Sequence, residues 1–424
     1  KLKLTKSMTD KDTKNRTITL PIPESIYDEF LLNNDLAHKI IQEMYDNMPE
    51  LFPVDLSLGY KLNGRTRPSK KMEGFQMRKI EVLGINYQLR PSFMFPYCRE
   101  KVDFVSKGLF LLKFGVPFWA LAFVFGYNEA WWYRIYIFLS TYDIVGTTIY
   151  KPKDLPKHVL ADEHHIKVKG DKKYVATTVG ASCFLGMEVC DGASETDLTK
   201  GYSVFKTESE MVDVDYEPLS VNTDGWLATQ KAWHNLFINI NVIECFLHAY
   251  LKIRDRATKK LKTAFKEIGD KVWNVYQADT KRQQAQRIRR LKEWVIENVQ
   301  NCAMKENVIK LCDKKDKWMK HIDNPMAERT SNMLDRLMRA MKKHKINSQM
   351  FHSTTEATTK NFRAFALLYN FTPSVPVVWK ENRLENTTLK SPAARLNDKI
   401  YADNWLENLI LSANRHFFRQ HSKM

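Results

Sequence analysis

Three acidic residues of this 424-residue chain stand where a backbone delivers side chains to an edge. Asp162 lies in "VLADEH", an alternating β-type run. Asp224 closes a short β-type run, "LSVNTDGW", and Gly225 behind it lets the chain turn sharply. Glu328 falls early in a helix-like segment, "MAERTSNMLDRLMRAMKKH". Each has an ordinary explanation: a polar strand residue, an Asp-Gly turn, a carboxylate complementing a helix dipole. Together they point to metal chemistry. Carboxylate oxygens are the ligands that Mg²⁺ prefers. Two divalent ions about 3.5–4 Å apart stabilise the attacking and leaving oxygens of an in-line displacement at phosphorus. Packed acids otherwise repel one another and need a cation. Asp335 and Glu297 are alternatives for the third acid.

The elements around these residues set the expected fold. Residues 1–20 read as a mobile basic tail, and 21–98 as helices, a basic Gly/Pro-containing loop and the strand pair "KIEVLGINYQLR". Residues 99–150 read as three short helices joined by Gly-containing turns, the third carrying Arg134. That pattern fits a helix-turn-helix DNA-binding module. Residues 151–370 change grammar: three consecutive strands, a helix, the strand ending at Asp224, a helix, and a fifth strand in "NVIECFLHAYL". Three antiparallel strands followed by alternating helix and strand is the order of a ribonuclease H-like fold, a mixed α/β class. In that fold the places of Asp162, Asp224 and Glu328 converge on one sheet edge. Residues 252–320 turn wholly helical and charged, with an apolar stripe at Ile288, Leu291, Val295 and Val299, and read as a helical insertion. Residues 371–424 supply a helical C-terminal tail.

Asn324 and Pro325 read as the cap and first turn of the next helix. Its apolar face is Met333, Leu337 and Met341. Its other face combines Glu328, Asn332, Arg336, Arg339 and Lys343; with Arg329 beside Glu328, these residues suit phosphate contacts near the site. Trp226 and the insertion tryptophans Trp273, Trp294 and Trp318 suit either a core or stacking on unpaired bases.

Composition narrows the class. Hydrophobic residues make up 44% of the chain, so a sizeable core is expected, and the net charge of +17 favours a polyanionic partner. The most apolar run, Gly108–Gly126, contains Lys113, Gly115 and Pro117 and reads as core rather than as a membrane span. No secretory signal pattern opens the sequence. Six scattered cysteines without a CxxC pair point to a reducing compartment.

The runs "VLADEHHIKVKGDKKYVATTVGAS", "VNTDGWLATQKAWHNLF" and "VIECFLHAYLKIRDR" resemble bacterial insertion-sequence transposases of the DDE type. The resemblance extends to "LRPSFMFPY", "FGVPFWALAFVFG" and "SPAARLNDKIYADNWLENL". "CFLH", Cys245 to His248, matches the CxxH mark of mutator-like transposases. The resemblance implies that Asp162, Asp224 and Glu328 are the catalytic and metal-holding acids, with Mg²⁺ or Mn²⁺ as cofactor. Cys245 and His248 would support them, His248 near the carboxylates and Cys245 in the core. The implied activity is cleavage at element ends and strand transfer, on terminal inverted repeats and target DNA. The partners are double-stranded DNA and further copies of the chain, with no membrane, in a prokaryotic cytoplasm at the nucleoid. A nuclease or resolvase of the same fold, or a non-enzymatic DNA-binding descendant, is the alternative.

Overall fold

The computed structural model describes residues 16–257, 261–328, 330–347, 353–374 and 390–421. The chain is mixed α/β and divides into two compact units, residues 1–154 with 367–424, and residues 155–366. The first unit opens with β1 (Thr17–Leu20), whose Ile18 and Leu20 are fully buried. This end of the expected mobile tail is therefore a strand; residues 1–15 lie outside the described residues. Helices α1 (Tyr27–Leu32) and α2 (Asn34–Asn47) follow, the second capped by Asn33, whose side chain accepts from the Asp35 and Leu36 amides. Then come β2 (Lys61–Arg65), β3 (Arg78–Val82) and β4 (Ile85–Pro91), giving a sheet of order β1-β4-β3-β2. β2 falls inside the stretch that reads as a basic loop. It is a short, mostly exposed edge strand, so no apolar alternation announces it.

Three helices follow as expected: α3 (Val102–Lys113), α4 (Phe118–Phe125) and α5 (Glu129–Phe138), then the short α6 (Ile144–Thr148). Asn128 caps α5 through the Trp131 amide, and Arg134 is exposed on that helix. The apolar run is core only in part. Leu109 and Leu121 are fully buried, whereas Trp119, Phe123 and Val124 on α4 are exposed. α3 and α5 meet at Gly108, where an added Cβ would collide with the buried Trp132 ring. That ring is fully enclosed and cannot swing away. Gly108→Ala is therefore expected to destabilise this unit by about 1–3 kcal/mol, read as an earlier thermal unfolding transition; an unchanged transition would mean that the contact relaxes freely.

The second unit is built on β5 (His158–Val168), β6 (Asp171–Gly180), β7 (Cys183–Cys190), β8 (Ser220–Thr223) and β9 (Asn241–Glu244). β5, β6 and β7 form an antiparallel meander, while β8 runs parallel to both β5 and β9. The sheet order is β7-β6-β5-β8-β9. All four β8 residues are buried, as a central parallel strand requires. α7 (Glu195–Val212), capped by Ser194, and α8 (Leu227–Leu236) connect the parallel strands.

After β9 the chain is helical: α9 (Phe246–Arg254), α10 (Lys262–Tyr276), α11 (Lys281–Asn298), α12 (Ala303–Asp313) and α13 (Lys315–Asp323). These helices enclose a core of their own, and the stripe Ile288, Leu291, Val295, Val299 lies in it. α14 (Asn332–Asn347) and α15 (Thr355–Phe371) come next, and α15 runs across the unit boundary. α16 (Pro392–Leu396) and α17 (Trp405–His421) complete the first unit. Among the described residues no helix is long and apolar enough to cross a membrane.

Candidate active site

The parallel register places the first two acids. His158, Val159 and Leu160 of β5 pair with Ser220, Val221 and Asn222 of β8. Two more residues along each strand bring Asp162 level with Asp224. On the other side of β8, Thr223 pairs with Glu244, so the next step brings Cys245 level as well. The Cys245 amide holds that step by donating to the Thr223 carbonyl at 2.8 Å. Three neighbouring strands therefore present Asp162, Asp224 and Cys245 in one row.

Asp224 sits at the strand lip. Its Oδ1 accepts the Trp226 amide at 2.9 Å, and Gly225 takes φ +90°, the left-handed region a side chain rarely adopts. The turn carries the backbone away and leaves the carboxylate at the edge. Asp162 accepts the Glu163 amide at 2.9 Å. Burial, and then the Asp224 charge, push its carboxyl up to about 6; the charge of Asp335 adds to the rise. Among the described residues no ion pair joins Asp162, Asp224 or Asp335 to a lysine or arginine.

The third position differs from the expected one. Asn324 ends α13, its amide donating to the His321 carbonyl, and does not start a helix. The chain turns through Pro325–Ala327, and Glu328 lies in irregular backbone with an exposed side chain. Its carbonyl accepts the Asn222 side-chain amide at 2.7 Å, which ties this stretch to β8. α14 begins only at Asn332. Local cap signals lose here to a tertiary contact. The Ser331 amide donates to Cys245 Sγ at 3.2 Å, and the Ser331 hydroxyl donates to Asp335 Oδ2 at 3.0 Å. Asp335, in the first turn of α14, is thus the acid docked on the row. Glu297 is exposed on α11. Arg329 lies outside the described residues.

Cys245 and His248 form a thiol–imidazole pair. Burial would raise the Cys245 thiol, but hydrogen bonds from His248 and Ser331 outweigh it and hold the thiol below its ordinary range. The bond to Cys245 raises the His248 imidazole despite its burial, and the charges of Asp224 and Asp335 act in the same direction. His248 therefore stands beside the acids with its imidazole held above the ordinary range.

Asn332, Arg336, Arg339 and Lys343 are all exposed on α14, while Leu337 and Met341 are buried beneath them. The two faces of this helix are as expected from Asn332 onward. Trp318 is core, with its indole N–H donating to the Leu311 carbonyl at 2.8 Å; Trp226 and Trp273 stay partly exposed.

Two glutamates escaped the sequence reading. Glu163 projects from the opposite face of β5, where Tyr202 of α7 donates to it at 2.5 Å and Thr229 of α8 at 2.7 Å. Burial, with the nearby Asp162 and Asp224 charges, pushes its carboxyl up to about 7. Glu244, only 4% exposed, ends β9 and pairs with Lys314 at 3.0 Å and with Lys317. Gln230 of α8 donates to the same carboxylate at 3.0 Å. Burial alone would raise Glu244, and the bonds from Lys317, Gln230 and Lys314 bring it below the ordinary range. The only sequence signal was an acid ending an apolar strand. Beside this clamp lies a cavity of about 370 Å³, walled by Asp224, Gly225, Lys252, Lys310, Lys314 and Trp318. Its lining mixes carboxylates (Asp224, Glu244, Asp313) with lysines (Lys252, Lys310, Lys314).

Hard oxygen donors without cationic clamps fit a divalent ion, and Mg²⁺ is commonly held by one or two carboxylates plus waters. Asp162 and Asp224 supply such a pair. Among the described residues no group of three or more His, Cys, Asp or Glu is close enough to hold a metal, so the third acid does not complete a protein cage. No family model matches the chain, and no curated protein matches it at a significant level.

Proposed function

We propose that the chain is a metal-dependent DNA transposase of the DDE type. The observation that carries this reading is the row itself: Asp162 and Asp224 level on adjacent parallel strands, with Asp335 docked beside them. The strand order β7-β6-β5-β8-β9 supports a ribonuclease H-like catalytic unit, with the helices from Phe246 to Asp323 as its insertion. The helices α3–α5, with exposed Arg134, support a helix-turn-helix module that reads DNA.

In this reading Asp162 and Asp224 would hold the divalent ions, and Asp335 would orient water beside them from α14. Such ions, when bound, stabilise both the attacking and the leaving oxygen at the scissile phosphate. His248 offers a ring N–H donor to that phosphate. Asn332, Arg336, Arg339 and Lys343 take the backbone beyond it, and their contacts weaken as salt rises. Cleavage frees a 3′-hydroxyl at the element end, which then attacks target DNA in the same site. Two ends must be joined, so the working form holds at least two copies of the chain.

The test is a cleavage and strand-transfer assay on the gene's own flanking DNA with Mg²⁺ or Mn²⁺, comparing wild type with Asp224→Asn. Joined products from the wild type alone are expected. Cleavage without joining would replace the transposase with a nuclease. DNA binding with no metal-dependent cutting would leave a DNA-binding protein.

A further inference from the structure

A second cavity, of about 350 Å³, lies wholly within the first unit, away from the acids just described in sequence and independent of their reading. It is walled by β1, β4, the segment from Phe138 to Thr147 and α17. Two of its wall residues carry polar atoms that are shielded from solvent and lack a hydrogen-bond partner: Arg90 Nε and Thr147 Oγ1. Thr147 is fully buried. Arg90 spends one amino group on the Thr19 hydroxyl at 2.6 Å and also bonds the Tyr142 phenol. Among the described residues no carboxylate pairs with it.

An unpaired buried donor costs about 1–3 kcal/mol, and a charged one more. Both belong to residues that line the same small space. Burial without an acid partner also depresses the Arg90 guanidinium. Asp143 and His416 also line the cavity and pair with each other at 2.9 Å, and no ion pair joins that carboxylate to Arg90 among the described residues. The missing partner is an anion, and the fork of a guanidinium beside a hydroxyl suits phosphate oxygens.

The remaining walls say what carries that anion. Tyr97, Phe138, Tyr142 and Phe417 line the cavity, and Phe138 stands edge-on to both tyrosines. Aromatic walls of this kind hold a flat ring, and the volume lies in the range of small-ligand pockets. We propose that this cavity binds a nucleoside 5′-monophosphate group, with Arg90 and Thr147 on the phosphate and the aromatic walls on the base.

Calorimetric titration of the full chain with deoxyadenosine 5′-monophosphate, deoxyadenosine and inorganic phosphate tests this. The monophosphate should bind at least about tenfold more tightly than the nucleoside or the phosphate alone. Arg90→Gln should weaken it at least about tenfold. Thr147→Val guards against misfolding, because it exchanges an unpartnered hydroxyl for a methyl of similar size. It should keep the unfolding temperature and still weaken binding about fivefold or more. Equal affinity for the nucleoside, no wild-type binding at about 10 mM ligand, or unchanged binding by a folded Thr147→Val chain would overturn the proposal. A 5′-phosphorylated tetranucleotide then separates two sources of the same chemistry. Its competition with the mononucleotide, not shared by the 5′-hydroxyl form, makes the ligand a strand end. Competition by neither makes it a free nucleotide, and equal competition by both overturns recognition of the monophosphate.

Discussion

Asp335→Asn is expected to lower metal-dependent DNA cleavage by about 100-fold or more, close to 2.7 kcal/mol of barrier, while Glu328→Gln leaves it within about threefold. The two acids stand in different surroundings. Asp335 is fixed by the Ser331 hydroxyl, and Ser331 is itself fixed by Cys245, which is level with Asp224. Its charge reaches both Asp162 and His248. Glu328 is exposed on irregular backbone, and its carbonyl, not its carboxylate, is what contacts β8. Neutral, isosteric replacements keep size and remove charge, so the comparison isolates the carboxylate. The reverse outcome, loss with Glu328→Gln and tolerance of Asp335→Asn, would return the third role to Glu328 and require this segment to rearrange on DNA.

Asp162→Asn should abolish cleavage and, without metal, make the protein more stable at pH 7.5. The Asp162 carboxyl titrates near 3.8 when unfolded and near 6 when folded. Between those values the folded chain holds the extra proton, so stability falls as pH rises through that window and stays lower above it. Asparagine carries no such charge. Allowing for partial solvent access, the variant should gain about 1–2 kcal/mol above pH 6, with the gain vanishing below about pH 4. In a unit of this size that is an unfolding temperature higher by roughly 2–8 °C. Saturating Mg²⁺ should close the gap, because only the wild type gains the binding energy. No rise in EDTA, or a rise that ignores pH, would show that Asp162 is not held against its neighbours.

The sequence announced Asp162 and Asp224 because both depend on local rules: alternation around Asp162, and an Asp-Gly exit from an apolar run. The order of the five strands was readable for the same reason, since each core strand carries its own apolar pattern. Asp335 was named only as an alternative to Glu328, and its precedence was not readable. Asn324 and Pro325 carry better local start signals than Ser331, and a sulfur on a distant strand decides the matter. β2 was missed because a short, mostly exposed edge strand needs little apolar pattern, and β1 because its four residues directly follow a basic polar run. Glu244 was invisible as a clamp because its lysines arrive from α12–α13 territory far along the chain.

The bridge from Cys245 to Ser331 spans 86 residues. A ribosome needs roughly 4–17 s to add that many, at about 5–20 residues per second. The β5–β7 meander pairs close neighbours and is complete early, whereas the acidic row is closed only once α14 has emerged. The intervening helices have their own core, so they condense while waiting and shorten the loop that must close. A nascent chain thus acquires its sheet long before its full set of acids, and truncated products ending within the insertion should be inert.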